Sequence, residues 1–383
     1  MHELSRENQH ELDVIRSNAT LDPENNIWTV TYPFTTDPKI LEENEEQATT
    51  LMKKQENRFL KNNDKTAAKK FNEIFQDLID RGVLVEITEE ELKLWTGAVF
   101  YVSAHEVLKE DSSSTPIRLV FNSSLKYKGR SLNDILMKGP NTLNDLYGVL
   151  LRFRIHRYAL VADIKKMYHT IRTTEVEKHL RRLVFRFLDP TQKPKVYGPT
   201  RVMFGDRPAA AITSVCIQET AETYKHIDEK AAEMIIRDMY VDDLASGADT
   251  PEEIEQRKKG IIEIFSKGVQ IKGFIASYDN APETLALLGT GEIGRILGVR
   301  WDPTTDHFAF LIKINLSKKV KGAHTQPDLS YEQIPCLIEI KLTRAILLSI
   351  VNSCYDPLGL LCCIHTHPTE NRTAKPIQRR SWS

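Results

Sequence analysis

The chain has 383 residues, 41% hydrophobic and 27% charged, with 52 Lys and Arg against 53 Asp and Glu for a net charge of −1. That length gives two or three domains with a sizeable core, and the composition is ordinary for a globular protein. The opening MHELSRENQH has no apolar run to serve as a signal peptide, and apolar stretches such as AILLSIV are too short to span a bilayer.

The cysteines (Cys216, Cys336, Cys354, Cys362 and Cys363) follow no repeating pattern, which predicts reduced thiols inside a cell. Charge is unevenly spread. Between Pro116 and Arg207 lie 19 basic and 7 acidic residues, a surplus of 12 that the remainder of the chain cancels. A contiguous basic block in a neutral chain predicts a track for a polyanion, whereas solvated helix faces are its plainer reading.

In chain order, residues 1–95 are polar and acidic, with little sign of a core before Phe71 and nothing of catalytic character. Phe71, Ile74, Phe75, Leu78 and Ile79 recur at helical spacing and Gly82 suits a C-cap, so a helix is predicted there after about two others. GAVFYVSAHEVL and PIRLVFNSS flank a Ser-rich turn (Asp111 to Thr115) and predict a β-hairpin with Arg118 in its second strand. A break at Gly139-Pro140 precedes a helix over Leu143 to Phe153. Tyr158 to Ala162 has a buried-strand pattern that ends on Asp163. A helix over RTTEVEKHLRR, strands at LVFRF and KVYGPTRVMF, and a helix opened by Pro208 come next, the last with a small-residue first turn at Ala209 to Ala211.

EMIIRDMY then predicts a strand leading into Val241, Asp242 and Asp243, with LASGA leading out. This is a hairpin whose tip carries two adjacent carboxylates. Thr250-Pro251-Glu252-Glu253 forms a capping box for a helix with Ile254, Ile261 and Phe265 on its buried face, and strands resume at VQIKGFIAS and GRILGVRWDP. The order predicts an α+β fold with an antiparallel sheet in which Asp163 and Asp242 converge. Adjacent carboxylates repel unless a cation sits among them, and Mg²⁺ or Mn²⁺ suits such oxygens, although Asp-Asp also simply favours turns. Carboxylates sharing two ions about 4 Å apart are the arrangement of in-line phosphoryl transfer.

Taken together, these stretches resemble the reverse transcriptase of LTR retrotransposons, most closely the BEL/Pao group, over roughly residues 28–361. Tyr240-Val241-Asp242-Asp243 is similar to polymerase motif C, ALVADIKKMYHTI to motif A, RVMFGDRPA to motif B, PIRLVFNSS to the fingers motif and ILGVRW to the primer-grip hairpin. SLNDILMKGP, LNDLYGVLLRFR and CYDPLGLL resemble stretches of BEL/Pao elements. The resemblance implies a right-hand polymerase with fingers, and a palm built on a ferredoxin-like antiparallel sheet. The implied divisions are an N-terminal region over 1–94, fingers over 95–157, and a palm over 158–290 with a fingers insertion at about 172–201. A primer-grip hairpin and partial thumb over 291–361 and a divergent tail over 362–383 complete them.

It implies that Asp163, Asp242 and Asp243 are catalytic ligands of two Mg²⁺ or Mn²⁺ ions. Tyr168 would exclude a 2′-hydroxyl, though an aromatic at this position also reads as core. Arg118 would grip the triphosphate, Gly205 would let backbone approach nucleotide and template, and Leu297 and Gly298 would form the primer grip. Lys272 matches the lysine that protonates pyrophosphate, or is an ordinary surface lysine. Asn122 departs from the Asp of many relatives, and Gly205 to Pro208 is shorter than the retroviral form.

The tail from Cys362 to Ser383 departs from the pattern. Its Cys362, Cys363, His365 and His367 fit no zinc-finger spacing, which points to a frame change or gene-model artefact. No Asp-Thr/Ser-Gly protease triplet, second acidic cluster for RNase H or integrase zinc motif is present, so the chain reads as a polyprotein fragment or a decayed copy. The implied activity is RNA-directed DNA polymerisation on an RNA or DNA template-primer with deoxynucleoside triphosphates. The implied setting is a cytoplasmic particle with nuclear access, other polyprotein products as partners and no membrane. The alternatives are an inactive relic that binds nucleic acid or a protein partner, and a divalent-metal nuclease.

Overall fold

The computed structural model describes residues 5–62, 65–108, 117–164, 166–269, 271–277, 294–302 and 305–309, with shorter pieces between 315 and 359. The fold is mixed, with helices and several small sheets whose strands pair mostly antiparallel. The chain begins with α1 (Arg6–Ser17), β1 (Ala19–Asp22), β2 (Ile27–Val30), α2 (Glu45–Asn62), α3 (Lys65–Asp80), β3 (Leu84–Glu86), α4 (Glu89–Leu94), β4 (Ser103–Leu108) and β5 (Ile117–Asn122). It continues through α5 (Leu146–Phe153), β6 (Tyr158–Ile164), β7 (Arg172–Thr173), α6 (Glu175–His179), β8 (Leu183–Phe185), β9 (Lys195–Pro199), α7 (Ala209–Thr223) and α8 (Glu229–Asp238). After these come β10 (Met239–Tyr240), β11 (Asp243–Ala248), α9 (Pro251–Phe265), β12 (Ile271–Ala276), β13 (Gly294–Ile296), β14 (Val299–Asp302) and β15 (His307–Ala309).

Several local signals act as the sequence predicts. Gly82 takes φ 64° after α3, and Val83 N–H donates back to Leu78 O at 2.9 Å while Gly82 N–H donates to Ile79 O, which closes the helix with a left-handed cap. The β4–β5 hairpin forms with Val107 opposite Arg118, and its turn lies outside the described residues. Thr250 Oγ1 caps α9 by accepting from Glu253 N–H at 3.2 Å, and Ile254, Ile261 and Phe265 are buried. Gly139, at φ 80°, lets the chain run against α7: a Cβ there would sit 2.3 Å from the Ala211 Cβ.

Two expectations are corrected. The run EMIIRD is helix α8, leaving only Met239 and Tyr240 as strand. Asp228 caps it by accepting from Ala231 N–H at 2.9 Å, and Glu233 pairs with Arg237 one turn on, so local helical contacts override the β preference of Ile235 and Ile236. The region before Phe71 also supplies core: Leu12, Ile15, Trp28, Val30 and Tyr32 are buried, and Trp28 Nε1 donates to Thr220 Oγ1 at 2.8 Å.

Strands β11 and β6 are neighbours in a sheet. The chain divides into two compact units. The first holds Met1–Leu143, Asp163–Asp242 and Glu255–Lys272, and the second holds Asn144–Ala162, Asp243–Ile254 and Gly273–Ser383. In the first, Phe75 packs on Phe185 with ring centroids 4.0 Å apart and meets Tyr197 edge-on, so α3 is anchored on β8 and β9. In the second, Phe153 of α5 packs edge-on against the fully buried Trp301, whose Nε1 donates to Asp306 Oδ1 at 2.9 Å. Among the described residues no helix is long and apolar enough to cross a membrane.

Candidate active site

The site begins with β6, whose residues are buried except for half-exposed Tyr158 and Asp163. In the sequence YALVADI the apolar residues fix the strand inside, and the carboxylate near its end is left accessible. Asp242 is exposed in the two-residue turn between β10 and β11, and Asp243 opens β11. Within the first unit, Ile164 N–H donates to the Asp242 carbonyl at 2.9 Å. Asp163 and Asp242, 79 positions apart along the chain, therefore sit about one strand spacing (~4.8 Å) from each other's backbone. The bond brings the two backbones together, whereas the carboxylate oxygens of Asp163, Asp242 and Asp243 do not all lie within 4.8 Å of one another.

Val241 takes φ 59° as the first turn residue. Positive φ at the first of two turn residues is the requirement of a tight II′ hairpin, which glycine normally fills. A β-branched residue there is strained, and its side chain is exposed and offers little packing in return.

Tyr168 lies in the single 3-10 turn Met167–Thr170 beyond β6, its ring edge-on to Phe204 at 4.6 Å. Burial raises its phenol above the ordinary value, and the negative charge of Asp242 adds to the rise, so the ring stands in the field of Asp242. Gly205 takes φ 105°, and a Cβ on it would fall 2.0 Å from Phe121 O, the carbonyl of β5. The glycine is thus required by its own fold, because the loop runs backbone to backbone against β5, with Asn133 Nδ2 donating to Gly205 O at 2.9 Å.

Arg118 and Lys272 are placed by backbone alone, on β5 and β12. Leu297 (φ 52°) and Gly298 (φ 84°) form the turn of the β13–β14 hairpin, with Ile296 paired to Val299. Gly298 lies against Tyr355 of the CYDPLGLL stretch, where a Cβ would come 2.7 Å from the Tyr355 ring. Cys362, Cys363, His365 and His367 lie outside the described residues.

Sequence reasoning missed a buried polar knot beneath Gly205. Asp206 accepts from Arg181 Nη1 at 2.8 Å, from the Tyr32 hydroxyl at 2.6 Å and from Ser123 Oγ at 2.5 Å. Arg181 also donates to Arg201 O and Thr173 Oγ1, and Glu177 accepts from Tyr32 N–H. Burial pushes the Tyr32 phenol well above its ordinary value, with Arg181 opposing and Asp206 adding to the rise. The knot ties the segments that follow β2, α6 and β5 to the Gly205 loop. The one available signal was an acid directly after a glycine that predicts a special backbone.

The basic block is also reinterpreted. Seven of its cations pair with acids of the N-terminal region: Lys128 with Glu42, Arg182 with Glu43, Arg186 with Glu56, Lys166 with Asp77, Lys195 with Glu86, Lys193 with Glu89 and Lys178 with Glu91. Much of the surplus seen in sequence is thus balanced inside the fold. Among the described residues one group, Glu91, Glu175 and His179, brings three metal-ligand atoms within 4.8 Å of one another. Lys178 already pairs with both carboxylates there. Arg182 donates to His179 Nδ1, which leaves the ring proton on Nε2, whereas a ligating imidazole turns its far N–H toward an acceptor. The trio is better explained as an ion-pair network.

No protein family's sequence profile matches this chain, and no curated protein does. Among solved structures, the chain is similar to a foamy viral protease-reverse transcriptase in complex with an RNA/DNA hybrid. The identity is 15% and the TM-score 0.44, over 91% of this chain and 38% of that one. It is similar also to a foamy viral protease-reverse transcriptase dRH in complex with double-stranded DNA, at 14% identity and TM-score 0.45, over 91% of this chain and 49% of that one. The chain thus spans less than half the length of either.

Proposed function

We propose that this chain is the polymerase core of a retrotransposon reverse transcriptase of the BEL/Pao type, extending a primer 3′-hydroxyl on an RNA or DNA template. The observation that supports this reading is the Ile164–Asp242 backbone bond, which joins the backbones of the two sequence motifs that carry these acids. The donor set of Asp163, Asp242 and Asp243 fits hard divalent cations, because all three offer carboxylate oxygens and Asp242 and Asp163 are accessible. These residues would hold two Mg²⁺ or Mn²⁺ ions, which when bound supply charge neutralisation and a lowered hydroxyl pKa.

The chain's own groups do the rest. Tyr168, packed on Phe204, presents an aromatic wall beside Asp242 that would crowd a 2′-hydroxyl. Arg118 on β5 and Lys272 on β12 are the proposed contacts to the triphosphate, and the Leu297-Gly298 turn the contact to the primer. On this reading residues 95–157 serve as fingers, 158–290 as palm and 291–361 as primer grip and partial thumb. The particle-associated location and the other polyprotein products as partners belong to the same proposal.

The test is extension of a labelled primer on poly(rA) with Mg²⁺ or Mn²⁺. Asp242→Ala and Asp163→Ala are expected to lower the rate below about one-thousandth of wild type while far-UV circular dichroism is unchanged, since several kcal/mol of transition-state stabilisation are lost. Absence of extension by the wild type, with salt-sensitive RNA binding retained, identifies a non-catalytic relic instead.

A further inference from the structure

A cleft of about 420 Å³ in the first unit is walled by Arg81, Lys166, His169 and Arg201, together with Asn25 and Asn26. No carboxylate is among the described residues that line it. One acid behind the wall, Asp77, serves two of the cations, lying 2.9 Å from Arg81 Nε and 3.4 Å from Lys166 Nζ. Arg201 is half-buried and joined by a backbone bridge to Arg172. Neither Arg201 nor Arg172 has a carboxylate within 4.0 Å among the described residues, although seven neighbours in the same basic block do. Burial pulls the Arg201 guanidinium below its ordinary value, and Arg172 beside it pulls further in the same direction. A half-buried cation next to another cation is costly unless an anion compensates it.

We propose that this cleft binds a compact phosphate anion, either a free di- or triphosphate or the polyphosphate tail of a nucleotide, held by Arg81, Lys166 and Arg201. Two guanidinium forks and an ammonium around one concavity match the oxygens of a polyphosphate. The volume lies in the range of small-molecule pockets. Neither Asp163 nor Asp242 lines it, and the binding needs no metal, so it is assayed independently of the polymerase reading although Lys166 and His169 belong to the same stretch as Tyr168.

The experiment is isothermal titration of sodium tripolyphosphate into the full chain at low salt with EDTA present, which silences any metal-dependent binding at the acid pair. Saturable binding is expected, weakened about tenfold or more by Arg201→Ala, as removal of a charge-assisted contact costs. Lys166→Ala, at an exposed position, is expected to weaken it severalfold and keeps the test decisive if Arg201→Ala does not fold. Lys193→Ala, whose cation pairs with Glu89 elsewhere, is expected to leave binding unchanged.

ATP is titrated in parallel. Equal affinity assigns the free anion, and tighter ATP binding assigns the nucleotide tail. The proposal is overturned if wild type does not bind, if Arg201→Ala and Lys166→Ala bind as wild type, or if a short RNA competes through the same two residues. The last outcome would make the cleft part of a nucleic-acid track.

Discussion

A single carboxylate, Asp206, shows how much a residue's role depends on what surrounds it. In sequence it is the polar neighbour of a turn glycine. In the fold its side chain is fully enclosed, opposite an Arg181 side chain only 1% exposed, with Tyr32 and Ser123 completing its hydrogen bonds. Charge burial of this kind is invisible to local pattern reading. Arg181 is 25 positions away and Tyr32 174, and the run LRR reads as the solvated end of a helix. For Asp163 and Asp242 the sequence offered a local pattern, an apolar run ending on an acid and an Asp-Asp turn, and a turn preference alone also accounts for the second. Asp206→Asn removes the counter-charge and strands a buried guanidinium, so a loss of about 3–5 kcal/mol is expected in urea unfolding. A loss below about 1 kcal/mol would mean that Arg181 finds other compensation among the carbonyls of Arg201 and Pro199.

At the scale of elements, sequence pattern found α3, α5, α9 and the β4–β5 hairpin, the family resemblance implied the hairpin at ILGVRW, and pattern failed where two preferences competed. Met-Ile-Ile before Asp242 has strand character, yet the Asp228 cap, Ala231, Ala232 and the Glu233–Arg237 pair act over one turn and settle it as helix. Arg257 fastens the cap residue by donating from Nη1 to both Asp228 oxygens. The helix therefore delivers the chain to a very short β10 and forces the reversal into two residues. Val241 then sits at φ 59°, a conformation a β-branched side chain resists. Asn tolerates this region, so Val241→Asn is expected to stabilise the fold by about 1 kcal/mol. The measurement is the urea midpoint at constant m value, with primer extension followed on the same samples. A lower midpoint would show that Val241 contributes packing that its exposure does not suggest.

For the whole molecule, a net charge of −1 conceals an acidic N-terminal region folded onto a basic block, and the histidines inherit the consequence. Burial lowers His169, and Arg81, Lys166 and Arg201 reinforce it; burial lowers His179, with Arg182 and Lys178 reinforcing and Glu91 opposing. Both are held at about 4 in the folded chain against an ordinary 6.5. Between those values the unfolded chain binds protons that the folded chain refuses, so stability is full above 6.5 and falls as pH drops toward 4.

Two such groups give a slope of up to about 3 kcal/mol per pH unit, less for whatever solvent reaches His169. Urea unfolding at steps from neutral pH down to about 4.5 measures it. His169→Gln, which removes one of the two titrations while keeping a planar polar side chain, is expected to flatten the profile by roughly half. An unchanged slope in that variant would place the proton uptake elsewhere, and a slope of opposite sign would mean that the folded chain, not the unfolded one, binds the extra protons.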